Sequence, residues 1–194
     1  MSAFRLLSVV VFLALAHTSY AQNLQYGGKA GVNWASITFD QDEDLTVTGK
    51  PGIVAGGFVT FSGNRRLGFQ VEALYSRRVT EFENEITDTL AYAELPLLVR
   101  YRLMSNPRWT LHVVGGAVLS FLQKATEEIG GVDFDIKNSV ESTETAAAVG
   151  VDAQVWRNVV VGFRFIQGLS DLYTATDFPA KQRTIQITAG WRIK

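Results

Sequence analysis

The sequence predicts an all-β fold, an eight-stranded antiparallel up-and-down transmembrane β-barrel. Three observations lead to this prediction. Eight segments alternate apolar and polar residues with a period of two, their connections alternate long and short, and acidic and basic residues gather in different connections. The chain is 47% hydrophobic and 19% charged. After the N-terminal segment no apolar run approaches the roughly 20 residues of a membrane-spanning helix, so a membrane protein of this composition would cross with strands.

The first residues have the pattern of a secretory signal peptide. Arg5 provides a basic start, Leu6–Ala16 is an apolar stretch too short to span a membrane as a helix, and Ser19–Ala21 ends in small residues. We therefore expect residues 1–21 to be a signal peptide for Sec export and residues 22–194 to form one barrel domain. The chain has no cysteine, which excludes disulfides and a lipid-modified cysteine.

The clearest predicted strand is Thr89–Leu103, TLAYAELPLLVRYRL. Alternate residues of a strand point to opposite sides, so one face of this segment is wholly apolar and the other carries Glu94, Arg100 and Arg102. In a soluble sheet the apolar face would cover a core. In a transmembrane barrel it would meet lipid, and the charges would point into the lumen.

The spacing of the predicted strands favours the barrel over a soluble β-sandwich. The eight strands are Gln25–Ile37, Gly52–Ser62, Leu67–Val79, Thr89–Leu103, Arg108–Phe121, Val140–Val155, Val159–Ser170 and Gln182–Ile193. The long connections are Thr38–Lys50, Thr80–Asp88, Leu122–Asn138 and Asp171–Lys181, and short turns lie between them. Sandwiches follow no such rule, whereas an even number of strands with this alternation is typical of a closed barrel. Each strand has about the 9–11 residues needed to cross at a tilt.

The connections also predict orientation and location. With the N-terminus in the periplasm of a Gram-negative bacterium, every short turn is periplasmic and every long loop is extracellular. Both termini are then periplasmic, and the protein belongs to the outer membrane. The predicted outer loops carry the acidic residues Asp40, Asp42, Glu43, Asp44, Glu81, Glu83, Glu85, Asp88, Glu127, Glu128, Asp133 and Asp135. The predicted periplasmic ends carry Arg65, Arg66, Arg102, Arg108, Arg157, Arg192 and Lys194.

The first acidic loop resembles half of a calcium-binding loop. Asp40–Asp44 lacks the glycine and the distal bidentate glutamate of an EF-hand. A solvated anionic surface is therefore favoured over loose Ca²⁺ or Mg²⁺ binding, and no metal or cofactor is predicted. The net charge of −1 argues against a nucleic-acid partner.

A set of charged and polar residues is predicted to point into the lumen and is the candidate site. It comprises Lys29, Glu72, Glu94, Arg100, His112, Asp152 and Arg164, with Gln70 nearby. The side chains of an eight-stranded barrel just fill its interior. Two interpretations follow, a plug of ion pairs of the Glu94–Arg100 type and a narrow gated path for ions or small solutes. Because buried charges persist only when paired, and pairing blocks a channel, the plug is favoured.

Enzymatic interpretations find little support in the sequence. His112 is the only histidine outside the predicted signal peptide, and no serine lies two positions from it to act as a nucleophile. With no cysteine and one histidine, metal catalysis lacks ligands. We expect a protein that is not an enzyme, and a lipid-modifying enzyme is a distant alternative.

Several segments resemble the PorT-like family of small outer-membrane barrels, which are OmpA-like in size. Gly27–Ile37 is similar to that family's first strand, and Ala91–Leu103 to its most recognisable strand, with a carboxylate just before Leu-Pro-Leu. Val149–Leu172 resembles its sixth and seventh strands, and Ile187–Lys194 its last. The resemblance covers essentially the whole predicted barrel domain. It implies the fold, the location, and a part in protein secretion across the outer membrane.

Taken together, these patterns predict a non-catalytic outer-membrane barrel with a structural or interaction role, and a narrow porin-like channel is the alternative. The predicted partners are outer-membrane lipid and lipopolysaccharide, the barrel-assembly machinery during biogenesis, and a surface or periplasmic protein.

Overall fold

Eight long antiparallel strands pair in chain order and close on themselves. The structure is a computed structural model that describes residues 23–39, 48–62, 66–82, 86–129, 131–137, 140–170 and 180–193. The predicted signal peptide lies outside these residues. So do six acidic positions of the predicted loops, Asp40, Asp42, Glu43, Asp44, Glu83 and Glu85.

The strands are β1 (Asn23–Phe39), β2 (Thr48–Ser62), β3 (Leu67–Phe82), β4 (Ile86–Ser105), β5 (Trp109–Ile129), β6 (Val132–Asp135), β7 (Thr143–Val155), β8 (Val159–Gly168) and β9 (Ala180–Arg192). Each long strand pairs with the next long strand of the chain, and β1 pairs with β9, which closes the barrel. Short β6 pairs with β5 only, among the strands described. The predicted eight-stranded antiparallel barrel is confirmed.

The two faces of the barrel wall have the polarity expected in a membrane. Along the middle of the wall outward side chains are apolar and exposed, as for Phe69 at 56%, whereas inward Glu72 is only 1% exposed. A soluble barrel would show the reverse, because water would surround its outer face. Among the described residues, no helix is long and apolar enough to cross a membrane.

The β4–β5 and β7–β8 turns, which the structure describes in full, lie where the sequence places them. In the β4–β5 turn the Asn106 side-chain oxygen accepts hydrogen bonds from the backbone N–H groups of Arg108 and Trp109, at 3.0 and 2.9 Å. Side-chain capping of this kind lets asparagine substitute for a backbone turn partner. In the β7–β8 turn Trp156 has a φ of 52°, which is the left-handed region.

The prediction that Leu122–Asn138 forms a loop is wrong. Instead, β5 continues to Ile129 and pairs with β6 in a hairpin. Leu122 and Ala125 point inward and join a buried apolar cluster at this end of the lumen, with Ile37, Leu90, Tyr92 and Val140. The strand pattern was hidden because a bulge at Gln123 resets the alternation, so that Leu122 pairs with Tyr92 and Lys124 with Ala91.

Several strands are also longer than a membrane crossing requires. β4 has 20 residues and β5 has 21, against about 9–11 for a tilted transmembrane strand. The extra length lies at the end that carries the long connections. The barrel wall therefore continues beyond the apolar belt at that end.

Candidate functional site

The lumen holds two clusters of interlocked charges, and Glu72 is the centre of the first. Lys29 Nζ lies 2.9 Å from each Glu72 oxygen. Arg164 donates from both terminal nitrogens, at 2.7 Å to Oε2 and 2.8 Å to Oε1. Gln70 Nε2 donates to Glu72 Oε1, and Arg164 Nη2 also lies 3.4 Å from Asp152 Oδ2. A carboxylate held by a bidentate arginine and a lysine is the arrangement in which buried charge is well compensated.

Glycines on neighbouring strands make room for these long side chains. Lys29 is paired in register with Gly56 and Gly190, and Arg164 with Gly150. A Cβ at Gly150 would lie 2.9 Å from Arg164 Cγ, closer than real Cβ contacts allow. Small residues opposite large ones thus let the lumen fill without clashes.

The second cluster is centred on Arg78. Its Nη2 lies 2.6 Å from Glu94 Oε1 and its Nη1 lies 2.7 Å from Glu144 Oε2, and Nη1 also donates to Gln182. The guanidinium stacks over the Tyr92 ring, 4.7 Å from its centroid. One cation therefore binds side chains from three other strands, β4, β7 and β9.

On the side of the first cluster that faces the short turns, Arg100 contacts neutral groups. It donates to Thr60 Oγ1 at 3.1 Å and lies 3.3 Å from His112 Nδ1. The predicted Glu94–Arg100 pairing is wrong. Both residues are on β4, six positions apart, which is roughly 20 Å along a strand. Glu94 instead pairs with Arg78 on the adjacent strand.

The seven predicted lumen residues are thus divided among these contacts. Lys29, Glu72, Asp152 and Arg164 form the first cluster, Glu94 belongs to the second, and Arg100 contacts His112. The candidate set missed Arg78, Glu144 and Gln182. Period-two alternation places Arg78 and Glu144 inward, so that signal could have found both. The same alternation places Gln182 inward, because it lies on the same side of its predicted strand as Gln186 and Thr188.

A small cavity lies among these residues in the lumen. This cavity of about 20 Å³ lies beside Lys29, Gln70, Arg100, Asp152 and Arg192. A single water molecule needs roughly 10–15 Å³ of such volume, so the cavity has room for about one. Among the described residues, no group of three or more histidines, cysteines or acidic residues is placed to hold a metal ion.

Comparisons with known proteins agree with this architecture. Residues 20–174 match the family model described as outer membrane protein beta-barrel domain. No curated protein sequence matches the chain.

Among solved structures, the barrel is similar to Neisserial surface protein A, with a TM-score of 0.53 and 18% identity over 87% of this chain and 96% of that one. It is also similar to Ail, the attachment invasion locus protein of Yersinia pestis, with a TM-score of 0.50 and 17% identity over 87% and 98% of the two chains. At these identities the likeness concerns the fold. Because the family model covers most of the chain, and the wall is apolar outside and charged inside, the protein belongs to the outer membrane protein beta-barrel domain family and is a small β-barrel of the bacterial outer membrane.

Proposed function

We propose that this protein is a sealed, non-catalytic outer-membrane barrel that acts through the end bearing the long connections. The interlocked charge of the lumen is the observation that carries the proposal. Two clusters join strands on opposite sides of the barrel through ion pairs of 2.6–2.9 Å. A permeant ion would have to break such contacts in a low-dielectric interior, where unpaired charge is costly.

The small volume of the cavity within the lumen also supports a sealed barrel. The cavity beside Arg100 and Lys29 is about 20 Å³, which fits about one water molecule and not a hydrated ion. A narrow channel, the alternative from the sequence, would need this polar filling to move aside.

The β5–β6 hairpin supports an interaction role. It extends from the barrel wall and exposes two large apolar side chains, Val132 and Phe134. Its short strand β6 has one edge that is not paired within the described residues. An open strand edge with exposed apolar residues is a surface to which a partner can add a strand or a side-chain contact.

The surroundings of His112 support a non-catalytic role. Its Nδ1 faces the Arg100 guanidinium, which can only donate, and its register partners are Arg102 and Asp152. None of these groups is a nucleophile that the imidazole could activate.

The proposal includes the orientation predicted from the sequence, with short turns in the periplasm and the hairpin outside the cell. A role in protein secretion rests on the sequence resemblance to the PorT-like family alone.

Single-channel conductance of the refolded protein in planar bilayers tests the sealed lumen. We expect no steady conductance from the wild type. Glu72→Ala combined with Arg164→Ala removes two members of the first cluster and should open steps of ionic current. The matched control is Lys50→Ala with Glu81→Ala, which removes an exposed pair of 2.8 Å on the outer face and should stay silent.

Steady conductance in the wild type would overturn the sealed barrel and support a small-solute channel. A silent lumen variant that is folded, as judged by its heat-sensitive electrophoretic mobility, would show that these charges are not what closes the lumen.

A further inference from the structure

The outer face of the barrel carries two basic side chains, one on β3 and one on β5, on either side of β4. Arg77 on β3 is the register partner of Ala91 on β4, and Ala91 is the partner of Lys124 on β5. Directly opposite residues in a sheet point to the same face, so all three lie on the outside. Ala91 is nevertheless only 5% exposed. Its small side chain lies beneath the two long basic ones.

A bulge places Lys124 on this face. Along β5, Trp109, Val113 and Phe121 point outward, so by strict alternation Lys124 would point into the lumen. The register shift between Ala91 and Tyr92 leaves Gln123 unpaired and turns Lys124 outward. Lys137 Nζ donates to the Gln123 carbonyl at 3.0 Å and so holds the bulge. Bulges commonly re-aim a side chain in this way next to functional sites.

The two basic residues lie at the edge of the apolar belt. On β3, outward residues are apolar or aromatic from Leu67 to Tyr75, which is roughly 26 Å at 3.3 Å per residue. Tilted by ~40°, this segment covers about 20 Å of depth, close to the ~25 Å apolar band of a barrel. Tyr75 and Phe121 form the aromatic rim of the belt. Arg77 lies one outward position further, at the depth of lipid headgroups.

A cavity of about 370 Å³ opens above this rim. Arg77 and Lys124 form its basic end, and Thr87, Thr89 and Thr126 line its upper part. Glu128 lies at the far end, four residues from Lys124 on the same strand, or roughly 13 Å along it. The volume is within the ~300–1,000 Å³ of small-ligand sites, and the charge is segregated to one end.

The two cations are available to a ligand. Neither Arg77 nor Lys124 forms an ion pair within the part of the chain that the structure describes. Their strands are separated by one intervening strand, about 10 Å at 4.8 Å per strand. The two basic residues flank Ala91, and a phosphate group placed between them would accept charge-assisted hydrogen bonds from both.

We propose that Arg77 and Lys124 bind a phosphate group of an outer-leaflet lipid headgroup, with the threonine hydroxyls contacting the attached sugar. The chemistry is that of lipid A, a phosphorylated glucosamine lipid. Its acyl chains would continue down over Tyr75 and Phe121 onto the apolar belt. The assignment to the outer leaflet rests on the proposed orientation, whereas phosphate binding does not.

Native mass spectrometry of the refolded barrel in detergent tests the site with diphosphoryl and dephosphorylated lipid A as probes. The wild type should retain diphosphoryl lipid A. Arg77→Gln with Lys124→Gln should weaken retention roughly twenty-five-fold, at about fivefold for each surface charge. Arg77→Lys with Lys124→Arg keeps both charges and should retain most of the binding.

The matched control is Arg108→Gln with Arg157→Gln, which removes two exposed positive charges at the opposite end of the barrel. It should bind as the wild type does. The site would be overturned if the Arg77→Gln, Lys124→Gln variant retained diphosphoryl lipid A as well as the wild type does. It would also be overturned if the wild type retained dephosphorylated lipid A as well as diphosphoryl lipid A. Displacement of the lipid by millimolar inorganic phosphate would overturn the lipid assignment, because it would mean that the site binds free phosphate.

Orientation is measured separately, since the chain has no native cysteine. Phe134→Cys should react with an impermeant maleimide on intact cells, and Arg157→Cys should react only after lysis. The reverse labelling would overturn the outer-leaflet assignment and the proposed orientation. If the two cysteine variants label as expected but the wild type does not distinguish diphosphoryl from dephosphorylated lipid A, the site alone would be overturned.

Discussion

Removing the Arg78 side chain should destabilise the barrel more than any single surface change. Arg78 is 1% exposed and is the cation between Glu94 and Glu144. Arg78→Met keeps much of its volume and leaves two buried carboxylates facing each other. Breaking a buried pair by removing one partner costs roughly 3–5 kcal/mol, and here two carboxylates lose their partner. The contacts with Gln182 and the Tyr92 ring are lost as well. We therefore expect a loss of about 5 kcal/mol in the free energy of unfolding.

The free energy of unfolding is measured by urea titration of the refolded protein in phospholipid vesicles, followed by tryptophan fluorescence. The triple variant Arg78→Met, Glu94→Gln, Glu144→Gln removes the charges together. It should recover most of the stability, because neutral groups of similar volume often replace a buried ion pair at little cost. Lys50→Met serves as the control, since its pair with Glu81 is exposed and worth about 0–1 kcal/mol.

The reasoning would be refuted if Arg78→Met cost no more than Lys50→Met. It would also be refuted if the triple variant were as unstable as Arg78→Met alone, because the loss could then not come from uncompensated carboxylates.

Two further predictions concern packing on the two faces of the wall. A Cβ at Gly162 would lie 2.8 Å from Asp152 Oδ1, so Gly162→Ala should cost about 1–3 kcal/mol in the same titration, as overpacking does. A Cβ at Gly57 would have its nearest atom 3.5 Å away, so Gly57→Ala is the control. A cost for Gly57→Ala as large as that for Gly162→Ala would contradict this account. Val149 is 56% exposed at the middle of β7, yet Val149→Arg should cost about 2–4 kcal/mol in lipid vesicles because this face meets hydrocarbon. Thr143→Arg, at the end of the same strand, should cost about 0–1 kcal/mol, and a neutral Val149→Arg would argue against a lipid-facing position.

The alternation of residues along each strand was enough to predict the architecture and the two faces of the wall. Side chains of a strand alternate between two sides, so Glu72, Asp152 and Arg164 could be placed inside from local sequence alone. The failure at Leu122–Asn138 has a local cause, because the bulge at Gln123 shifts the alternation by one residue. The charged residues after the bulge therefore have the pattern of a loop, although they belong to a strand that continues beyond the membrane.

The partners of each charge were not predictable in this way. Arg78 and Gln182 are 104 residues apart in the chain, and Glu72 and Arg164 are 92 apart. Their contacts depend on the registers of all the strands between them and on how the barrel closes at β1 and β9. The same holds for the outer face, where Arg77 and Lys124 lie on either side of Ala91 only because one bulge and two registers coincide.

By itself, the sequence determined that this chain is an outer-membrane barrel with a charged interior, because periodicity and connection length are local properties of a strand and its turns. The tertiary structure decided which charges neutralise one another and which basic side chains lie on the outer face. Those features depend on distances between strands that only closure of the barrel brings together.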